Sequence, residues 1–114
     1  MQYLLLIYED EKRFTNLDKP AFDAELTEYR ALGNQFAPNI QGGKALQPTN
    51  TATTVSVRNG KRLVTDGPFA ETKEQLGGFY LVETQNLDEA LKIAEKIPAA
   101  RYGRIEVRPI MTFS

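Results

Sequence analysis

Tyr3-Leu4-Leu5-Leu6-Ile7-Tyr8 is an unbroken apolar and aromatic run, stopped by the charged segment Glu9 to Arg13. Its length is that of a strand. Successive strand residues point to opposite faces, so a run that is apolar at every position needs cover on both sides. A strand of this kind belongs at the centre of a sheet. One cover is expected from the domain's own helices, and the other from a second subunit.

Outward from this strand, the next periodic segment is helical. Phe22, Leu26, Tyr29, Leu32 and Phe36 fall on one helical stripe. Asp18 or Lys19 can open the helix, Pro20 suits its first turn, and Pro38 stops it. Short strands follow. Gly42-Gly43 opens Lys44-Ala45-Leu46, and Thr53 to Val57 and Lys61 to Thr65 flank Asn59-Gly60. Asn-Gly between two strand-like runs predicts a hairpin, because both residues tolerate positive φ. A further strand is expected over Gly77 to Thr84. Asn86 and Glu89 then form a capping-box pattern ahead of a helix with a stripe of Leu87, Ala90, Leu91, Ala94 and Ile97, ended by Pro98. Ile105-Glu106-Val107-Arg108 alternates as a half-exposed last strand should. The order predicts an α+β domain of ferredoxin-like type, βαββαβ with an extra β-hairpin, over residues 1–114. The sheet face away from the helices would be bare in a monomer, which points to a homodimer through the sheet face.

Composition narrows the chemistry. The 114 residues are 41% hydrophobic and 25% charged, and 14 basic residues against 15 acidic ones give a net charge of −1. That balance argues against a direct nucleic-acid partner, and the Arg101, Arg104 and Arg108 group is broken by Glu106. With no cysteine and no histidine, disulfides, thiol nucleophiles, Cys/His metal centres and imidazole bases are excluded. No cofactor or metal is expected. Acid–base work would fall to carboxylates, lysine or tyrosine. No segment has the apolar length to span a bilayer, and Gln2 stands where a signal peptide carries basic residues, so a cytoplasmic location is expected.

Val64 to Tyr80, containing Asp66-Gly67-Pro68-Phe69-Ala70-Glu71-Thr72-Lys73-Glu74-Gln75, resembles the signature stretch of the DGPF branch of the YCII-related family. The resemblance extends to Met1 to Tyr8, Gly43 to Pro48, Thr51 to Val57 and Pro98 to Pro109. It implies a ferredoxin-like dimeric α+β barrel. It brings no settled reaction. Some members are encoded beside, or fused to, extracytoplasmic-function sigma factors, and related proteins carry a histidine–aspartate pair proposed as catalytic. This chain has no histidine. In the DGPF branch a histidine commonly follows the Pro-Ala-Ala-Arg stretch, where this chain has Tyr102.

Two readings of the Asp66 segment stand. In one, Asp66 caps its own Gly-Pro turn, Phe69 anchors the loop in the core, and Glu71 to Glu74 is a solvated run. In the other, the turn holds Asp66 in a cleft with Glu71 and Lys73 as catalytic groups, while Tyr8, Glu74, Tyr80 and Tyr102 contact a ligand. The functional expectation is correspondingly double. The first is a small-ligand-binding or regulatory homodimer for an unidentified small molecule, with a sigma-factor link suggested by the resemblance. The second is a lyase, isomerase or hydrolase using an Asp66-centred carboxylate site.

Overall fold

Strand β1 (Gln2–Glu9) occupies the middle of a sheet. In the computed structural model, which describes residues 1–113, its side chains sort into two environments. Tyr3, Leu5 and Ile7 are buried, Leu5 completely, whereas Leu4, Leu6 and Tyr8 are only partly covered. On one edge β1 pairs antiparallel with β5 (Gln75–Glu83), and on the other with β6 (Arg104–Pro109). Strand β2 (Ile40–Ala45) pairs with the far edge of β5. The spatial order β2-β5-β1-β6, with α2 (Lys19–Gln35) and α3 (Leu87–Lys96) between strands, is the ferredoxin-like βαββαβ arrangement. A separate hairpin, β3 (Thr53–Arg58) and β4 (Lys61–Asp66), is inserted ahead of β5. Its turn has Asn59 at φ 53° and Gly60 at φ 75°, the left-handed pair that a two-residue hairpin requires.

Local chemistry sets the helix ends. The Asp18 carboxylate accepts from the Ala21 amide at 2.9 Å, with Pro20 in the first turn of α2. At α3 the Asn86 side chain accepts from the Glu89 amide, and the Glu89 carboxylate accepts from Gln85 N–H, both at 3.0 Å. The buried stripe of α3 is turned from the expected one. It runs through Ala90, Ile93, Ala94 and Ile97, while Leu87 and Leu91 stay exposed. A short helix absent from the sequence reading, α1 (Glu11–Thr15), follows β1, capped by Asp10 accepting from the Lys12 amide. Strand β2 also begins earlier than expected, and carries Gly42-Gly43 within it. Gly103 fixes the start of β6 against the end of β1: a Cβ there would stand 2.0 Å from the Tyr8 carbonyl oxygen.

The core lies between the sheet and α2, α3 and the 3₁₀ turn Pro98–Arg101. Leu32, Val82, Ala90, Ile93 and Ile97 pack there with Leu5. The register puts Leu4, Leu6 and Tyr8 beside Leu81, Phe79 and Leu76 on the opposite face. The molecule is a plate of 47 × 47 × 18 Å with a Cα radius of gyration of 16.1 Å. A compact domain of this length has roughly 13 Å. Phe69 is no loop anchor: it is 90% exposed, so its ring has no core to fill. Leu5→Ala should therefore cost about 2–5 kcal/mol in urea unfolding. Phe69→Ala should stay within about 0.5 kcal/mol of the parent. A comparable loss for both would contradict this placement.

Candidate functional site

The apolar stripe of α2 is longer than the core it serves. Leu32 is buried and Tyr29 and Phe36 pack against the core, but Phe22 is 37% exposed and Leu26 only partly covered. Beneath the first half of the helix is a cavity of about 360 Å³. Ile7, Gly43, Gly78 and Tyr80 line it from the sheet, and Phe14, Phe22, Leu26 and Tyr29 from α1 and α2. Phe14 and Phe22 meet edge to face at 5.9 Å. Gly43 is needed for the fit, since a Cβ there would lie 2.7 Å from the Tyr80 ring.

Glu9 also lines this cavity. It continues the odd-numbered, inward face of β1 and is only 7% exposed. A carboxylate in that position needs a partner, because burying an uncompensated charge is expensive. Arg13, four residues on, supplies it. Its Nη2 and Nε donate to Glu9 Oε2 at 2.8 and 3.3 Å, and Nη2 also donates to Glu25 Oε1 at 2.9 Å. Glu25 is buried too. Partial burial alone would lower the Arg13 pKa, but the hydrogen bonds to Glu9 and Glu25 outweigh it and hold the group above its ordinary value. The guanidinium carbon lies 4.1 Å from the Tyr102 ring centroid and 5.3 Å from that of Phe14.

Burial raises the Tyr29 phenol well above its ordinary value, and the charges of Glu9 and Glu25 push it further. Tyr80 is raised by burial as well. Both therefore remain neutral hydroxyls through the physiological range. Glu9, Phe14, Ala45 and Gly77 are shared with an adjoining cavity of about 560 Å³ between α1 and the segment Leu46 to Asn50. That segment is tied to α1 by Glu11, whose carboxylate accepts from Thr49 N–H at 2.7 Å and Thr49 Oγ1 at 2.9 Å.

The residues singled out in the sequence are dispersed. Tyr80 lines the aromatic cavity, and Tyr102 stacks on Arg13. Tyr8, Lys73 and Glu74 border an open groove with Arg104 and Glu106. There Glu74 Oε2 is buried without a hydrogen-bond partner among the described residues, while Oε1 lies 3.8 Å from Arg104 Nε. Glu71 and Lys73 border another open groove with Gly67, Pro68, Glu11 and Lys12. Asp66, exposed at the end of β4, borders none of these cavities. Its carboxylate accepts no hydrogen bond among the described residues. The backbone of Gly67 holds the turn instead: its N–H donates to Ala52 O, and its carbonyl accepts from the Thr54 hydroxyl, each at 2.7 Å. No three potential metal-ligating side chains gather among the described residues.

The sequence reading passed over Glu9, Arg13, Phe14 and Glu25. A signal for them exists. Glu9 keeps step with Tyr3, Leu5 and Ile7, and Glu25 lies three residues after Phe22 and four before Tyr29, on the apolar stripe of α2. Two carboxylates in phase with buried faces, with an arginine one turn beyond the first, mark a buried charge cluster.

Architecture and site together define a ferredoxin-like α+β domain with an aromatic cavity between sheet and helices. The chain belongs to the YCII-related family, whose domain model matches residues 1–114. It is 37% identical over 120 aligned residues to an uncharacterized protein of Rhizobium meliloti (strain 1021), covering 99% of this chain and 94% of that one. A solved structure of 5-chloro-2-hydroxyhydroquinone dehydrochlorinase from Burkholderia phenoliruptrix, in complex with 2,5-dihydroxybenzoquinone, aligns at 15% identity and a TM-score of 0.49. That alignment covers 97% of this chain and 94% of that one. No described helix is long and apolar enough to cross a membrane.

The tyrosines give the site a pH signature. A phenol whose folded-state pKa is raised contributes stability that is intact below its unfolded value near 10 and is lost as pH rises beyond it. Unfolding free energy should fall above pH 10, and Tyr29→Phe should flatten that fall. Identical alkaline profiles for the two proteins would show that Tyr29 is solvated.

Proposed function

We propose that this protein is a cytoplasmic small-ligand-binding homodimer whose ligand occupies the cavity walled by Phe14, Phe22, Tyr29 and Tyr80. The observation that carries this reading is the cavity itself, about 360 Å³ of mainly apolar space kept open beneath an aromatic roof. Interiors normally close-pack, and binding sites are concave, largely apolar and equipped with a few polar groups. Glu9 and the two phenols are those groups here. An Asp66-centred reaction has no comparable support, since Asp66 is exposed and lies outside the cavity lining. A regulatory role beside sigma factors rests on the family resemblance alone.

The dimer half of the proposal rests on the uncovered sheet face. Leu4, Leu6, Tyr8, Leu76, Phe79 and Leu81 share it, with the unpartnered Glu74 Oε2 beside Tyr8 in the open groove. A second copy laid on this face would cover the apolar patch and bring a donor within reach of Glu74. The exposed Val55 and Val57 of the projecting hairpin add further surface for such a contact.

Single-ring and two-ring aromatic probes should raise the melting temperature. Ligand at ten times its Kd contributes about 1.4 kcal/mol, which is several degrees for a domain of this size. Leu26→Trp, which fills the cavity, should remove the shift. A panel without effect, or one whose effect survives that substitution, would refute the assignment. Sedimentation equilibrium at micromolar concentration should give twice the 12.8 kDa chain mass. A monomer under those conditions would contradict the proposed dimer.

A further inference from the structure

We infer that the cavity selects a cation: an amine carried on a one- or two-ring apolar body, with its ammonium against Glu9. This inference rests on the ligand-binding reading above and deepens it. Charge balance is the first observation. Glu9 and Glu25, 7% and 6% exposed, share the single guanidinium of Arg13, a formal surplus of one negative charge in a cluster of which Glu9 lines the cavity. Both Arg13 contacts to Glu9 fall on Oε2. Oε1 has no hydrogen-bond partner among the described residues, and Glu9 lines the cavity. An ammonium placed there would satisfy this acceptor and neutralise the surplus, whereas a ligand carboxylate would add a second uncompensated charge.

The aromatic walls point the same way. Phe14, Phe22, Tyr29 and Tyr80 line the cavity, and cations are attracted to the faces of aromatic rings. Among the residues lining the cavity, Lys44 is the one cation. Arg13 is held by two carboxylates and lies close to Tyr102. Lys44 borders the cavity, but it pairs with Phe79 and so springs from the opposite sheet face to Gly43 and Tyr80. An apolar body fits the remaining lining, and the cavity has room for one or two rings.

The test uses three ligands of matched shape: naphthylmethylamine, naphthylmethanol and naphthoate, titrated calorimetrically at pH 7 into the full chain. The amine should bind at least tenfold more tightly than the alcohol, and the naphthoate should bind more weakly than either. Glu9→Gln should erase the preference, bringing the affinities of amine and alcohol for the variant to within about twofold of each other, some 0.4 kcal/mol. Equal binding of amine and alcohol, or tighter binding of the naphthoate, would overturn the charge assignment and leave the cavity reading intact. Failure of all three to bind would overturn both. Because the panel on the unaltered protein decides the matter, a Glu9→Gln variant that failed to fold would not rescue the inference.

Discussion

Strand β1 is hydrogen-bonded along both edges, and its inward face runs Tyr3, Leu5, Ile7, Glu9. The alternation that places Leu5 at the centre of the core also carries a carboxylate into the interior two residues beyond Ile7. Everything at this end of the molecule follows from accommodating it. Arg13 has to return toward the strand it has just left, which orients α1. By bonding Glu25 with the same Nη2, it docks α1 onto α2 and brings Phe14 within contact of Phe22. A buried ion triad is a poor source of net stability compared with apolar packing. Its value here is positional, since it fixes a roof over the cavity that five residues of isolated helix could not hold by themselves.

The other half of the fold is conventional packing. The second half of α2 and the inner stripe of α3 close over Leu5 and Val82, with Ile97 and Ala99 completing the core. The contrast between the two halves of α2 is informative. Leu32 and Phe36 meet the core, while Phe22 and Leu26 face space with aromatic and acidic neighbours. A helix whose apolar stripe continues past the core it covers is a helix prepared for another apolar object. That object is assigned here to a small ligand because the space is concave and contains Glu9. The outer sheet face, shared among strands, is the surface proposed above for a second copy.

Much of the architecture was legible because its determinants are local. The continuous run at β1, the positive-φ pair Asn59-Gly60, the Asp18 and Asn86 caps and the alternation of β6 each state their structure within a few residues. What escaped depends on distant partners. α1 has no periodicity to detect, and Phe69 lies in a loop whose backbone is held through Ala52 and Thr54, so its ring is not required for anchoring. The displaced stripe of α3 reflects a choice between Leu91 and Ile93 that only the position of β6 and the 3₁₀ turn can settle. The Glu9 cluster escaped the sequence for a related reason. A dense run of charge in Glu71 to Glu74 is conspicuous in sequence, whereas Glu9 and Glu25 are single acidic residues distinguished only by the face on which they fall.

The central claim is that a small ligand with an apolar ring body enters between α1, α2 and the sheet. Intermolecular nuclear Overhauser effects between bound naphthylmethylamine and the assigned protein would locate it directly. The account predicts cross-peaks to the Phe14 and Phe22 rings, the Leu26 methyls and the Tyr80 ring, on the inner side of the sheet. Cross-peaks confined to Leu4, Leu6 and Leu81, on the outer face, would contradict it.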